Sequence, residues 1–129
     1  MTWRLEAVKT LAAFLAPVFF GVNGFYLIGS TKNAVAGPAS DIDIIIHFSG
    51  NKKQLIQLKK WLNSWSLKLS SINDKKTGYK TEGLLDIHII NDEDIKKQTS
   101  FAIKIGAVTD AAKSIPMGIA LDQFTGTFM

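Results

Sequence analysis

The sequence predicts an α/β domain, from two features of its patterning and one of its size. Three short runs of branched and aromatic apolar residues, Phe25–Ile28, Asp41–Phe48 and Leu84–Ile90, read as strands. Between and before them lie stretches with helical spacing. The chain has 129 residues, which is enough for one sizeable core and too few for two. Residues 1–129 are therefore read as one domain. Hydrophobic residues make up 47%, with eight Phe and three Trp, so the chain buries a core and does not stay disordered.

The first helix runs from Thr2 to Leu15, with Leu5, Val8, Leu11, Ala12 and Leu15 at helical spacing and Pro17 to stop it. Thr10 to Ile28 carries no charge and approaches the length of a membrane span. Pro17, Gly21, Asn23 and Gly24 break it, however, and it reads as helix, turn and buried strand. The strand Phe25–Ile28 runs directly into Gly29-Ser30. A small polar connector, Thr31 to Ser40, turns at Gly37-Pro38 and leads into Asp41–Phe48. The clearest helix is Asn51–Ile72, where Leu55, Leu58, Leu62, Trp65, Leu69 and Ile72 form one apolar stripe. Lys52, Lys53, Lys59, Lys60 and Lys68 lie mostly off that stripe, as a solvated face. A lysine-rich loop, Asn73–Glu82, precedes the third strand, and Asn91 followed by Asp92, Glu93 and Asp94 marks a helix N-terminus. Residues 101–115 fit a helix or a strand, and the tail 116–129 has no clear period.

Composition narrows the chemistry. Without cysteine there is no disulfide or thiolate metal site, which is compatible with a cytoplasmic location. A net charge of +4 and a pI near 9.4 favour small polyanions such as nucleotides. The charge is too weak and dispersed to indicate a nucleic-acid binder. No secretory leader or membrane anchor is expected from the mixed-charge start at Arg4, Glu6 and Lys9.

One constellation carries reactive chemistry. Asp41 and Asp43 alternate at the head of a strand, so they share a face about 7 Å apart. A divalent cation would relieve their repulsion, and hard carboxylate oxygens suit Mg²⁺ bound with phosphates. Gly29-Ser30, ten residues upstream, offers a backbone without a Cβ and a hydroxyl donor for a phosphate. Asp86 interrupts an apolar strand, where an unpaired charge is costly to bury. Set beside Asp41 and Asp43, it would complete a site able to hold metal ions for attack on a nucleoside triphosphate. Glu82 is a competing third carboxylate. His47 and His88 share the faces of Asp43 and Asp86, and read as rim residues more readily than as ligands or proton acceptors.

The segment from Gly29-Ser30-Thr31-Lys32 through Ser40-Asp41-Ile42-Asp43 resembles the signature of the polymerase-β-type nucleotidyltransferases, in particular their minimal members. The resemblance covers residues 2–95 in its order of elements. It implies a small mixed β-sheet flanked by helices and transfer of a nucleoside monophosphate from a triphosphate, ATP first, to a hydroxyl. It also implies Asp41, Asp43 and Asp86 as catalytic metal ligands for Mg²⁺, with Mn²⁺ as the alternative. Gly29, Ser30, Lys32 and Ser40 are implied as contacts to the nucleotide. The chain departs from many minimal members at Asn33-Ala34, where they have Arg-Gly. Lys32 can replace the lost arginine's charge but not its forked geometry.

A narrower likeness joins Thr77-Gly78-Tyr79-Lys80-Thr81-Glu82-Gly83-Leu84-Leu85-Asp86-Ile87-His88 with Lys104-Ile105-Gly106-Ala107-Val108-Thr109-Asp110. These runs are similar to nucleotidyltransferase-like segments that accompany phosphoenolpyruvate synthase or pyruvate phosphate dikinase modules. That likeness implies a phosphoenolpyruvate-utilising partner, and with it a catalytically inactive nucleotide-binding module as the alternative to an enzyme. A separate helical partner protein or a homodimer is implied by the minimal members.

Overall fold

The computed structural model describes residues 2–33, 36–107 and 110–121. The helices and the three strands that periodicity predicts are present, with shifted borders. Helix α1 spans Thr2–Ala13, and Pro17 opens a second short helix, α2 (Pro17–Phe20), as a proline at a helix's first position can. Strand β1 (Val22–Ile28) begins three residues before the predicted start. A further short helix, α3 (Gly29–Lys32), occupies the Gly-Ser turn. Strand β2 is Ile42–Phe48, α4 is Lys52–Thr77, β3 is Leu85–Ile90 and α5 is Asp92–Lys97.

The long helix exceeds its predicted end. Residues 73–77, expected in the lysine-rich loop, continue α4 to a left-handed Gly78 cap (φ +76°). Buried Asn73 keeps that last turn in place by donating to the Tyr79 and Pro38 carbonyls at 3.3 and 3.0 Å. The Asn91 signal matches a full capping box with Asp94 at the start of α5. Residues 101–107 and 110–115 form neither a long helix nor a long strand: Ala102–Lys104 is one 3₁₀ turn and β4 is Lys113–Ser114. Val108, Thr109, Ala34, Val35 and residues 122–129 of the expected tail lie outside the described residues.

The sheet order is β3-β2-β1-β4, antiparallel except for the parallel β2–β3 pair. This is the small mixed sheet expected. Alternation gives it two unlike faces. Phe25, Leu27, Ile42, Ile44 and Ile46 join Val8, Leu11, Leu58, Leu62 and Leu69 in the main core against α1 and α4. Trp61 and Trp65 are partly buried against that core, as packing residues of α4. The other face holds a smaller cluster of Ile28, Ile45, Ile90 and Ala102, with Phe101 and Ile105 packed on it. It is this thinly covered face that carries the acidic residues. No described helix is long and apolar enough to cross a membrane.

Candidate active site

Strand alternation and register together build the site. In the parallel β2–β3 pair, Asp43 stands directly opposite Asp86, and His88 opposite Ile45, all on the face away from α1 and α4. The same register puts Asp43 opposite Ile28, the last residue of β1, so the chain enters Gly29-Ser30 at the carboxylate. Gly29 lies there at φ +73°, and a Cβ on it would stand 2.8 Å from Asp43 Oδ2. Both the backbone angle and the space therefore call for glycine.

Asp43 and Asp86 interact strongly. Burial, then the hydrogen bond and charge of Asp86, hold the Asp43 carboxyl above the usual carboxylate range, against a smaller opposing effect of His88. The side chains of Asp43, Asp86 and His88 are 32%, 50% and 21% exposed, which leaves the cluster open to small ligands. One ligand atom from each lies within 4.8 Å of the others. Two facing carboxylates whose charges oppose each other are a donor set that fits a divalent cation. Asp41 comes just ahead of β2, exposed, and its charge adds to the repulsion on Asp43 without placing it in the three-residue group.

The loop that delivers Asp41 is fixed from inside the protein. Arg4 of α1 is fully buried, and its guanidinium donates to the Ser40 carbonyl, the Pro38 carbonyl (3.2 Å) and Asn73 Oδ1 (3.0 Å). Burial lowers the Arg4 pKa, and the charge of Asp41 opposes that shift. Asn73 bonds the same Pro38 carbonyl, so α1 and α4 hold the connector jointly. Sequence reading missed this anchor although a signal for it exists: Arg4 stands four residues before Val8 and seven before Leu11, on the buried face of α1.

Several of the other expected residues are engaged within the protein. Lys32 Nζ pairs with Asp110 Oδ1 at 2.5 Å and donates to the Ala111 carbonyl at 2.9 Å. Asn33, at the departure from the minimal pattern, also donates to Asp110, at 3.3 Å. Ser40 Oγ accepts from the Gly37 N–H at 3.2 Å within the turn, while Ser30 is half-buried at the start of α3. Exposed Glu82 lies outside the Asp43–Asp86–His88 group. His47 shares the acidic face but its Nε2 is 2.6 Å from Asp92 Oδ1, at the far end of β2.

Residues 6–106 match the family model of the nucleotidyltransferase domain. The chain belongs to that family. The match runs from within α1 to just past the 3₁₀ turn and includes every residue of the acidic cluster. Among solved structures, the chain is similar to a protein from Sulfolobus solfataricus provisionally called a nucleotidyltransferase. The two are 20% identical, the match covers 74% of this chain and 73% of that one, and the TM-score is 0.38. No curated protein matches this chain.

Proposed function

We propose that this nucleotidyltransferase domain is an active, metal-dependent enzyme that moves a nucleoside monophosphate from a triphosphate, ATP in the first instance, to an acceptor hydroxyl. The observation that carries this reading is Asp43 facing Asp86 across β2–β3, with Gly29 closed against the Asp43 carboxylate. In the reaction, the acceptor oxygen bonds to the α-phosphorus, the bond to the bridging oxygen breaks, and pyrophosphate leaves. A divalent cation, Mg²⁺ or alternatively Mn²⁺, would supply charge neutralisation for the triphosphate when bound. Asp43 and Asp86 would hold it, with Asp41 as the third carboxylate at the mouth of the strand. Asp86, the most exposed of the three cluster residues, is suited to take the hydroxyl proton. Gly29 and Ser30 would meet phosphate oxygens through backbone N–H groups and the hydroxyl.

One observation favours a second reading, a nucleotide-binding module without turnover that serves a phosphoenolpyruvate-utilising enzyme. Lys32, the cation nearest the Gly-Ser turn in sequence, is already paired with Asp110. Incubation with α-labelled ATP and a divalent cation separates the two. Labelled product with pyrophosphate release, abolished in Asp43→Ala, supports the enzyme. Calorimetric ATP binding with no pyrophosphate formed supports the module, and absence of metal-dependent triphosphate binding overturns both.

A further inference from the structure

The acidic pair does not stand alone, and its third neighbour is a nitrogen. His88 Nε2 lies 3.4 Å from Asp86 Oδ2 and 3.8 Å from Asp43 Oδ1. Direct charge-assisted hydrogen bonds are shorter, about 2.7–2.9 Å. Donor atoms sharing a metal are spaced differently. At metal–ligand distances of about 2.1 Å, adjacent donors stand roughly 3.0–3.4 Å apart in octahedral or tetrahedral sets. The Asp86–His88 spacing is already within that range, and the Asp43–His88 spacing needs only a few tenths of an ångström.

The imidazole is also held in place. Its ring stacks on Phe101 with centroids 3.9 Å apart and planes 17° apart, which fixes the plane in which Nε2 approaches the carboxylates. His88 is two residues beyond Asp86 on β3, so alternation fixes it to the acidic face. His47 supplies the contrast: on the same face of β2, its Nε2 is taken by Asp92.

We propose that His88 is a metal ligand, and that the Asp43–Asp86–His88 set takes a first-row transition ion such as Mn²⁺ in preference to Mg²⁺. This rests on the metal-dependent reading above and specifies its ion. Mg²⁺ keeps oxygen ligands and several waters; Mn²⁺ also accepts carboxylates but, as the first of the transition series, gains from an added imidazole nitrogen, and affinity for such a mixed site rises further along the series. One nitrogen among two carboxylates gains nothing for Mg²⁺ and strengthens binding of Mn²⁺.

The test uses the full chain with metal alone. Mn²⁺ is titrated by electron paramagnetic resonance, Mg²⁺ by competition, and the bound Mn²⁺ signal is inspected for nitrogen modulation by spin-echo spectroscopy. The expected result is Mn²⁺ binding roughly tenfold or more tighter than Mg²⁺, with nitrogen modulation present. In His88→Gln the modulation is lost and Mn²⁺ affinity falls roughly tenfold, while Mg²⁺ affinity stays within about threefold. Equal affinities, no nitrogen modulation in the wild type, or modulation that persists in His88→Gln would overturn the proposal while leaving the enzyme reading standing. The wild-type signal decides even if the variant folds poorly. Binding of neither ion overturns this proposal, and the metal-dependent reading falls with it only if ATP also shows no metal-dependent binding.

Discussion

Asp43 and Asp86 are register partners on adjacent parallel strands, so two carboxylates share one small patch of a largely apolar sheet. The fold itself opposes this arrangement. Hydrophobic burial of Ile42, Ile44 and Ile46 on the opposite face sets the register, and the acids follow from strand alternation. The strain is electrostatic and local, and it is relieved by whatever neutralises the pair.

Asp43→Asn therefore stabilises the metal-free protein at neutral pH. The Asp43 pKa is raised in the fold, chiefly by burial, so ionising this group opposes folding. The penalty appears as pH rises above the unfolded-state value, about 3.9, and is complete above the raised value. In EDTA at pH 7, the variant should therefore melt higher than the wild type. The gap should close as pH falls towards about 4. Thermal unfolding scans across pH check this, and a variant that melts lower at pH 7 contradicts it.

Arg4→Met is expected to destabilise the fold by about 3 kcal/mol, since it strands the Ser40 carbonyl and Asn73 Oδ1 and leaves the Pro38 carbonyl only its bond from Asn73. Asn73→Ala removes the other half of the same anchor. Because Arg4 donates directly to Asn73 Oδ1, either single variant already breaks that bond, and the double variant should lose less than the sum of the two, by about 1 kcal/mol. Urea denaturation of the four proteins gives the coupling directly. Strict additivity would mean the two residues act separately on the connector.

Much of this arrangement is legible in sequence, and the limits are physical. Alternation in Asp41–Phe48 and Leu84–Ile90 places Asp43, His47, Asp86 and His88 on common faces without a structure. It cannot say that β2 and β3 are neighbours, because pairing is decided by the core beneath. Arg4 is hidden for another reason: helix period puts it on the buried face with Val8 and Leu11, but an arginine's charge argues for solvent, and its partners at Pro38, Ser40 and Asn73 are distant in sequence. Two-residue β4 is too short to show any period, and the Lys32–Asp110 pair closes a loop that no local pattern signals. The extension of α4 was available in Gly78, whose place after Thr77 is a helix-ending signal. His88 was visible too, as the next residue on the face of Asp86.

Gly29→Ala and Gly78→Ala should differ in kind. Both glycines have left-handed angles, φ +73° and +76°, and either alanine incurs backbone strain of about 1 kcal/mol. At Gly78 nothing lies within 4 Å of the new methyl, so the cost stops there. At Gly29 the methyl would stand 2.8 Å from Asp43 Oδ2, which must move. The expected outcome is a similar or somewhat larger loss of stability at Gly29, about 1–2 kcal/mol, together with weakened Mn²⁺ binding. Mn²⁺ binding in Gly78→Ala should match the wild type. Equal metal affinities in both variants would show that the contact at Gly29 does not control the Asp43 carboxylate.

The second histidine pair gives a prediction with a defined pH sign. His47 lies 2.6 Å from Asp92, and this hydrogen bond, with a smaller one from Ser49, holds the Asp92 carboxyl below the usual range. A depressed carboxylate stabilises the fold above its unfolded-state value, and the contribution fades as pH falls through the lowered one. The Asp92 carboxyl carbon, followed by NMR, should titrate below about 3.9 in the wild type and return towards that value in His47→Ala. The pair ties the end of β2 to the first turn of α5, the element leading to Phe101 and so to the ring that supports His88. His47→Ala should therefore disturb chemical shifts around Asp92 more than those of the Asp43–Asp86 patch. A wild-type Asp92 titrating at or above about 3.9 would mean that the contact does not persist in solution.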